Sequence, residues 1–150
     1  MKLTTRSRYA TRMLLDIAMN EEDGPVSIKD VAMRQEISIK YLEKLMRDLK
    51  KEGYLTSKLG AHGGYQLARN PSRILLGELV QALEKNEPCY GCDEIHSTCP
   101  RIHVCLTRTM WEEASKAMYN KLNQFSLADL IRDTALCPKN QPDSVPPRKY

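Results

Sequence analysis

Four of the five cysteines lie close together, in the segment CYGCDEIHSTCPRIHVC from Cys89 to Cys105. Their spacing is C-x2-C-x6-C-x5-C. Thiolates are soft ligands, so four of them on one short segment can hold zinc or an iron-sulfur cluster, or can pair as disulfides. The segment is therefore the candidate metal centre of the chain, with a metal-free thiol switch as a further alternative.

Composition bears on the choice among these chemistries. The chain has 150 residues and a net charge of +4, and it shows neither a secretion signal nor a transmembrane run. We therefore expect a cytoplasmic protein with no membrane partner, and in a reducing compartment clustered cysteines bind metal or sense redox state more often than they form structural disulfides. Structural zinc favours paired short spacings, whereas here one C-x2-C pair is followed by wider gaps. This favours an iron-sulfur cluster and keeps zinc as the alternative.

The residues before this segment predict a helix-turn-helix. Residues 7–19 form an amphipathic stripe, and Ser27 with Asp30 marks the start of a short second helix. Ser38 can cap a third helix that ends at Gly53. The stripe of the third helix that we expect to be buried consists of Leu42, Leu45, Met46 and Leu49. The other faces of this helix are basic and polar, which is typical of a recognition helix.

A β-hairpin is predicted directly after the third helix. Residues 54–59 and 65–68 have strand composition, and GAHGG between them can form the turn. The fold class is therefore mainly α with a small β-hairpin: a winged helix-turn-helix domain over residues 1–75. In such a domain the recognition helix enters the major groove and the wing lies on the neighbouring backbone or minor groove.

The remaining residues predict a sensor and dimerisation unit over residues 76–135. A helix over 73–84 precedes the cysteine segment, and a long helix over 106–124 follows it. The apolar stripe of the long helix is wider than the local chain can cover, which predicts a dimerisation helix and a homodimer. Ser126 and Asp129 mark a final short helix. Residues 136–150 are expected to be a disordered tail, with Cys137 as a bystander.

Three stretches together carry a family resemblance. They are KLTTRSRYA, ISIKYLEKLMRDLKKEGYLTSKLGAHGGYQLAR and the C-x6-C-x5-C loop. Over about residues 1–135 the chain resembles the iron-sulfur cluster regulator family, which includes IscR and NsrR. The resemblance implies a dimeric winged-helix transcription factor that acts on double-stranded operator DNA, with RNA polymerase as a further partner. It also implies that Cys92, Cys99 and Cys105 are ligands of a 2Fe-2S or 4Fe-4S cluster.

The fourth ligand differs between branches of that family, and this chain departs from both patterns. One branch uses a histidine three residues beyond the last cysteine, where this chain has Arg108. The other takes an aspartate from the partner's first helix, where this chain has Arg8. Cys89 is the leading candidate, because a tight turn brings it to the same cluster as Cys92. The weaker candidates are Glu94, His96 and His103.

Candidate DNA contacts follow from the resemblance and from side-chain chemistry. The resemblance assigns groove contacts to Ser38, Tyr41, Glu43 and Lys44, and wing contacts to Lys58, Gly60, His62 and Gly63. Lys44 can donate to guanine and Glu43 can accept from cytosine. The cations expected on phosphates are Lys2, Arg6, Arg8 and Lys58. The alternative is that Tyr41, Glu43 and His62 are ordinary surface residues.

We therefore expect a DNA-binding transcriptional regulator that senses redox state, nitric oxide or iron-sulfur status. An enzyme is not expected, because the histidines have no partnered nucleophile and GAHGG lies between strands instead of opening a helix. A zinc adaptor that binds protein is the third class. Specific DNA binding with steep salt dependence would separate the regulator from both.

Overall fold

The computed structural model describes residues 3–60, 63–84 and 99–136. Along these residues the elements are α1 (Thr5–Asn20), α2 (Ile28–Gln35), α3 (Ile39–Lys51), β1 (Leu55–Lys58), β2 (Gly64–Leu67), a 3-10 turn (Pro71–Arg73), α4 (Leu76–Leu83), α5 (Leu106–Leu122) and α6 (Leu127–Leu136). The two strands form one antiparallel hairpin. The predicted fold class, mainly helical with a small hairpin, is confirmed. No described helix combines the length and the apolar character that a membrane crossing requires.

Hydroxyl caps set the starts of the first three helices. The side chains of Thr4, Ser27 and Ser38 each accept a backbone N–H from the first turn of the helix. Such caps satisfy donors that have no partner within the helix. The predicted caps at Ser27 and Ser38 are confirmed. The predicted first helix, 7–19, is extended at its start because Thr4 caps it.

One apolar core supports α3. Its largest fully buried side chains are Met13, Leu14, Ile17, Val31, Leu42, Leu45, Met46, Leu49, Ile74, Leu79, Leu83 and Leu127. The stripe predicted for the third helix is therefore buried. The core also takes side chains from α4 and α6, so apolar packing continues across residue 75.

A buried carboxylate joins α1 to α2. The Asp16 side chain is only 4% exposed and accepts from Arg34 Nε at 2.9 Å and from Arg34 Nη2 at 2.7 Å. Gln35 Nε2 donates to the same carboxylate at 3.0 Å. The hydrogen bond to Asp16 raises the pKa of Arg34. These bonds satisfy a buried charge that would otherwise be costly, and they fix the first helix of the helix-turn-helix on α1.

The hairpin is attached to the rest of the domain at Val26. Val26 N donates to Tyr65 O at 2.9 Å, and Tyr65 N donates to Val26 O at 2.8 Å. The backbone approaches so closely that a Cβ at Gly64 would lie 2.5 Å from Val26 O. Only glycine fits there without displacement of one of the two segments.

Backbone pairing also joins α4 to the junction between α5 and α6. Leu76 N donates to Phe125 O, and Leu127 N donates to Ile74 O, both at 2.9 Å. Residues 74 and 75 are therefore extended, and the helix predicted from residue 73 begins at Leu76. A Cβ at Gly77 would lie 2.6 Å from Tyr119 O, so α5 packs closely on α4 there.

The last helix begins at a reciprocal cap. Asp129 N donates to Ser126 Oγ at 3.2 Å, and Ser126 N donates to Asp129 Oδ2 at 2.8 Å. This is the capping-box arrangement, in its acidic form. The start that the sequence predicts for the final helix is confirmed.

Candidate nucleic-acid interface and cysteine ligands

The outward face of α3 is polar and mostly cationic. A shallow depression on this face is lined by Ser38, Lys40, Tyr41, Glu43, Lys44 and Arg47. The side chains of Glu43 and Lys44 are exposed, and neither makes a hydrogen bond or an ion pair with another described residue. Both therefore keep their hydrogen-bonding groups for an external partner.

Tyr41 differs from its neighbours because α1 holds its ring. The ring is half-buried and meets Tyr9 edge to face at a centroid distance of 5.8 Å. The Arg12 guanidinium lies 5.5 Å from the Tyr9 ring centroid and donates to Gln35 O at 2.9 Å. Tyr41 thus helps to position the first turn of α3, and its assignment as a groove contact stays a prediction.

The wing carries Lys58 at the end of β1, where its side chain is exposed. The hairpin turn needs glycine at Gly60, whose φ is +116°. Gly63 N closes the turn with a hydrogen bond to Gly60 O at 2.9 Å. Lys50 Nζ of α3 donates to Ser57 Oγ of β1 at 2.6 Å, which joins the recognition helix to the wing. His62 of the predicted set lies outside the described residues.

The three cations predicted to contact phosphate near the N-terminus, Lys2, Arg6 and Arg8, differ from one another in their surroundings. Arg6 Nη2 lies 2.6 Å from Asp48 Oδ2, and the two side chains are 28% and 29% exposed. A phosphate at Arg6 would therefore share the guanidinium with Asp48. Arg8 is exposed on the same helix, and Lys2 lies outside the described residues.

Lys40 and Arg47 are candidate contacts that the sequence interpretation placed on the polar side of α3 but left out of the site. Both line the same depression as Lys44. The three residues are spaced i, i+4 and i+7, which is one helical face. That spacing is the signal that could have identified them.

Two of the four clustered cysteines lie within the described residues. Cys99 is exposed and Cys105 is half-buried. Cys105 is the N-cap residue of α5, and its Sγ lies 3.2 Å from Thr107 Oγ1. The Thr107 hydroxyl, followed by the backbone N–H groups of Arg108 and Thr107, lowers the pKa of Cys105. Cys89 and Cys92 lie outside the described residues.

The turn that separates the two described cysteines is held by a backbone hydrogen bond and by a side chain of α5. Ile102 N donates to Cys99 O at 3.3 Å, and Arg108 Nη1 donates to Ile102 O at 3.1 Å. Arg108, which stands where one branch has its histidine ligand, therefore supports the turn. Over residues 3–60, 63–84 and 99–136, no three His, Cys, Asp or Glu side chains are grouped to hold a metal. The donor chemistry of Cys99 and Cys105 nevertheless fits a thiolate-ligated group, because the lowered pKa of Cys105 favours the form that binds metal.

Comparison with known proteins decides the family. The profile of the Rrf2 family, described as "Iron-dependent Transcriptional regulator", matches residues 3–133. The chain is 66% identical over 140 residues to protein rrf2 of Nitratidesulfovibrio vulgaris strain Hildenborough, which covers 93% of each chain. The chain belongs to the Rrf2 family.

Two solved structures of Rrf2-like architecture have the same fold. T. potens IscR has a TM-score of 0.74 and 31% identity over 94% of this chain and 93% of its own. CymR, the global cysteine regulator of B. subtilis, has a TM-score of 0.71 and 28% identity over 89% of this chain and 98% of its own. The similarity of this Rrf2-family chain to IscR confirms the resemblance noted in its sequence. The chain is a helix-turn-helix transcriptional regulator whose partner is DNA, and its relatives are regulators and not enzymes.

Proposed function

We propose that this chain is a homodimeric regulator that reads operator DNA with α3 and the wing, and that a metal group on the 89–105 segment controls its affinity. The observation that carries the DNA-reading part is the outward face of α3, where polar and cationic side chains surround Glu43 while every apolar residue of the stripe is buried. Such a regulator works on DNA in the cytoplasm.

Sequence preference is assigned first to Lys44 and Glu43, whose side chains make no hydrogen bond or ion pair within the described part of the chain. Lys44 donates to guanine and Glu43 accepts from cytosine, while Ser38, which caps α3, lies beside them at the start of the helix. Backbone contacts come from Lys58, Gly60 and Gly63 of the wing and from Arg8 of α1, with His62 and Lys2 as further members of this set. These contacts place α3 on the duplex but carry little sequence information.

The Glu43→Ala variant tests the base-reading role. We expect it to change which base pair is preferred at one operator position by about 1–3 kcal/mol, because Glu43 would no longer select its partner. The measurement is binding to duplexes that carry each base pair at every position. Glu113→Ala, an exposed glutamate on α5, is the control. A loss of affinity that is equal for all duplexes would reject the role of Glu43.

Exposed apolar side chains near the start of α5 support the homodimer. Leu106 is 93% exposed and Val104 is 75% exposed, and Met110 and Trp111 are also exposed. The buried residue of α5 is Ser115. A helix whose apolar side chains face water is unfavourable in a monomer, and a second copy of the same helix would cover them.

The residues proposed to hold the metal group are Cys92, Cys99 and Cys105, with Cys89 as the fourth ligand. An iron-sulfur cluster, of 2Fe-2S or 4Fe-4S type, supplies a centre that reacts with oxidants or nitric oxide. Because Cys105 caps α5, ligation of its sulfur would fix the start of the helix that carries the dimer surface. The family description, which names an iron-dependent regulator, supports this choice.

Metal analysis distinguishes the cluster from its alternatives. Protein purified without oxygen should absorb visible light and contain iron and sulfide, and Cys92→Ala should lose all three. Cys137→Ala, which changes the cysteine outside the cluster, should keep them. Colourless protein with one zinc per chain would instead indicate a winged-helix DNA binder with structural zinc. The second candidate is a metal-free thiol switch, which the lowered pKa of Cys105 favours, because the thiolate is the reactive form.

Control of DNA affinity has its own test. The dissociation constant for an operator duplex should differ by about 5-fold to 150-fold between metal-loaded and metal-free protein, the usual range of coupling between two sites. Anisotropy titrations of both forms would measure it. Equal constants over a range of operators would reject sensing and leave the DNA-binding assignment intact.

A further inference from the structure

We propose that Glu84 is a positioning residue that couples the cysteine segment to the recognition helix, an inference that rests on the proposed sensing function. Glu84 follows α4 and is the last described residue before position 85. Cys89 stands five positions further along the sequence. At about 3.3–3.6 Å per residue, its Cα can lie no more than about 18 Å from that of Glu84.

The Glu84 side chain contacts residues near the start of the described chain. Its Oε1 atom accepts from Thr4 N at 3.2 Å, from Thr4 Oγ1 at 2.7 Å and from Ser7 Oγ at 2.7 Å. Ser7 is 1% exposed, so its bond is shielded from water. Glu84 therefore holds the first turn of α1.

The first turn of α1 has no acidic residue of its own. Helix N-termini are stabilised by negative charge and by acceptors for their free N–H groups. Glu84 supplies both from a different element, through residues 80 and 77 positions away in sequence. The position of this turn therefore depends on the residue that leads into the cysteine segment.

The same turn is connected to α3. Arg6 lies between Thr4 and Ser7 and pairs with Asp48 of α3 at 2.6 Å, with both side chains mostly shielded. The path runs from Glu84 through the first turn of α1 and Arg6 to Asp48. Displacement of residue 84 would therefore release the turn that carries the ion pair to the recognition helix.

A role for Glu84 in stability alone and a role in coupling predict different effects of its removal on the two dissociation constants. If Glu84 only stabilised the domain, its removal would weaken DNA binding by the metal-loaded and metal-free forms equally. If it couples them, removal changes the ratio of their dissociation constants. Asp129→Ala is the matched control, because Asp129 also accepts from a serine backbone N–H and hydroxyl at a helix start, in α6.

The experiment compares wild type, Glu84→Ala, Glu84→Gln and Asp129→Ala as full-length protein, with anisotropy titrations of an operator duplex selected by the wild type. We expect Glu84→Ala to keep its iron content and to bring the ratio of the two dissociation constants about 3-fold to 10-fold closer to one. Glu84→Gln retains an acceptor oxygen and should keep most of the ratio. Asp129→Ala should leave it unchanged.

Hydrogen exchange supplies a second readout. In wild type, the backbone amides of residues 5–9 should exchange at different rates in the two forms, and Glu84→Ala should remove that difference. An unchanged ratio in Glu84→Ala would overturn the coupling role, as would an equal loss in Asp129→Ala. Loss of iron would assign Glu84 to the metal site instead. Equal dissociation constants for the two wild-type forms would reject sensing itself, and the coupling with it.

Discussion

At the scale of single residues, Asp16 is a carboxylate that is buried within the described part of the chain. Its carboxylate is satisfied by Arg34 and Gln35, and Arg12 holds the Gln35 side chain from the opposite side through Gln35 Oε1 at 3.1 Å. Removal of one partner from a buried pair leaves the other uncompensated. Asp16 is therefore more important to stability than an exposed carboxylate nearby, such as Asp23.

We expect Asp16→Ala to lower the free energy of unfolding by about 2–4 kcal/mol, near the lower end for a broken buried pair, because Arg34 can reach water. Urea denaturation of metal-free protein measures this change. Asp23→Ala, at an exposed position before Gly24, should stay within about 0.5 kcal/mol of wild type. Equal effects of the two substitutions would contradict the proposed importance of the buried pair.

Gly64→Ala tests the attachment of the wing. The new Cβ would meet Val26 O, and relief of that contact should cost about 1–3 kcal/mol in stability. The amides of Val26 and Tyr65 should then exchange with deuterium faster. Thr56→Ala, on the exposed part of β1, is the control. Unchanged exchange at both amides would show that the two segments can separate without cost.

Sequence reasoning succeeds for residues whose partners are local. The serine caps of α2, α3 and α6 are predictable, because each cap contacts a residue three positions away. The contact between Asp16 and Arg34 spans 18 positions, and no periodic pattern identifies it. The same holds for Glu84, whose role depends on residues near the start of the chain.

At the scale of elements, periodicity predicts α3 and its buried stripe, because helix geometry alone determines which residues share a face of the helix. The start of α4 is not predictable in this way. Ile74 and Leu75 are at helical spacing from the apolar residues of α4, but they are extended because residues 125–127 pair with them. Tertiary hydrogen bonds override the local pattern there. Of the predicted metal ligands, Cys99 and Cys105 lie on either side of a described turn, and their assignment rests on sequence spacing.

The exposed apolar face of α5 gives an element-scale prediction. If the proposed homodimer forms through α5, Met110→Glu should be monomeric at concentrations where wild type is dimeric, because the charge would have to be buried at the interface. Sedimentation equilibrium measures the mass, and circular dichroism should show unchanged helix content. Asn120→Glu, at an exposed polar position on the same helix, should remain dimeric. A dimeric Met110→Glu protein would place the interface elsewhere.

At the scale of the whole molecule, the charge of +4 is too small to indicate DNA binding by itself, and the placement of cations on α3 and the wing matters more. If Lys58 of the wing neutralises one phosphate, Lys58→Ala should reduce the slope of log affinity against log salt by about 0.9. Lys116→Ala removes the same charge from α5 and should leave the slope unchanged. An identical slope in all three proteins would exclude Lys58 from contact with phosphate.

The pairing of residues 74–76 with 125–127 also bears on how the molecule unfolds. Leu127, the first residue of α6, is completely buried in the same core as the apolar stripe of α3. The recognition helix and α6 should therefore melt together, in a single cooperative transition. A ligand that binds the cysteine segment only in the folded protein would then also raise the melting temperature of the recognition helix, by mass action alone.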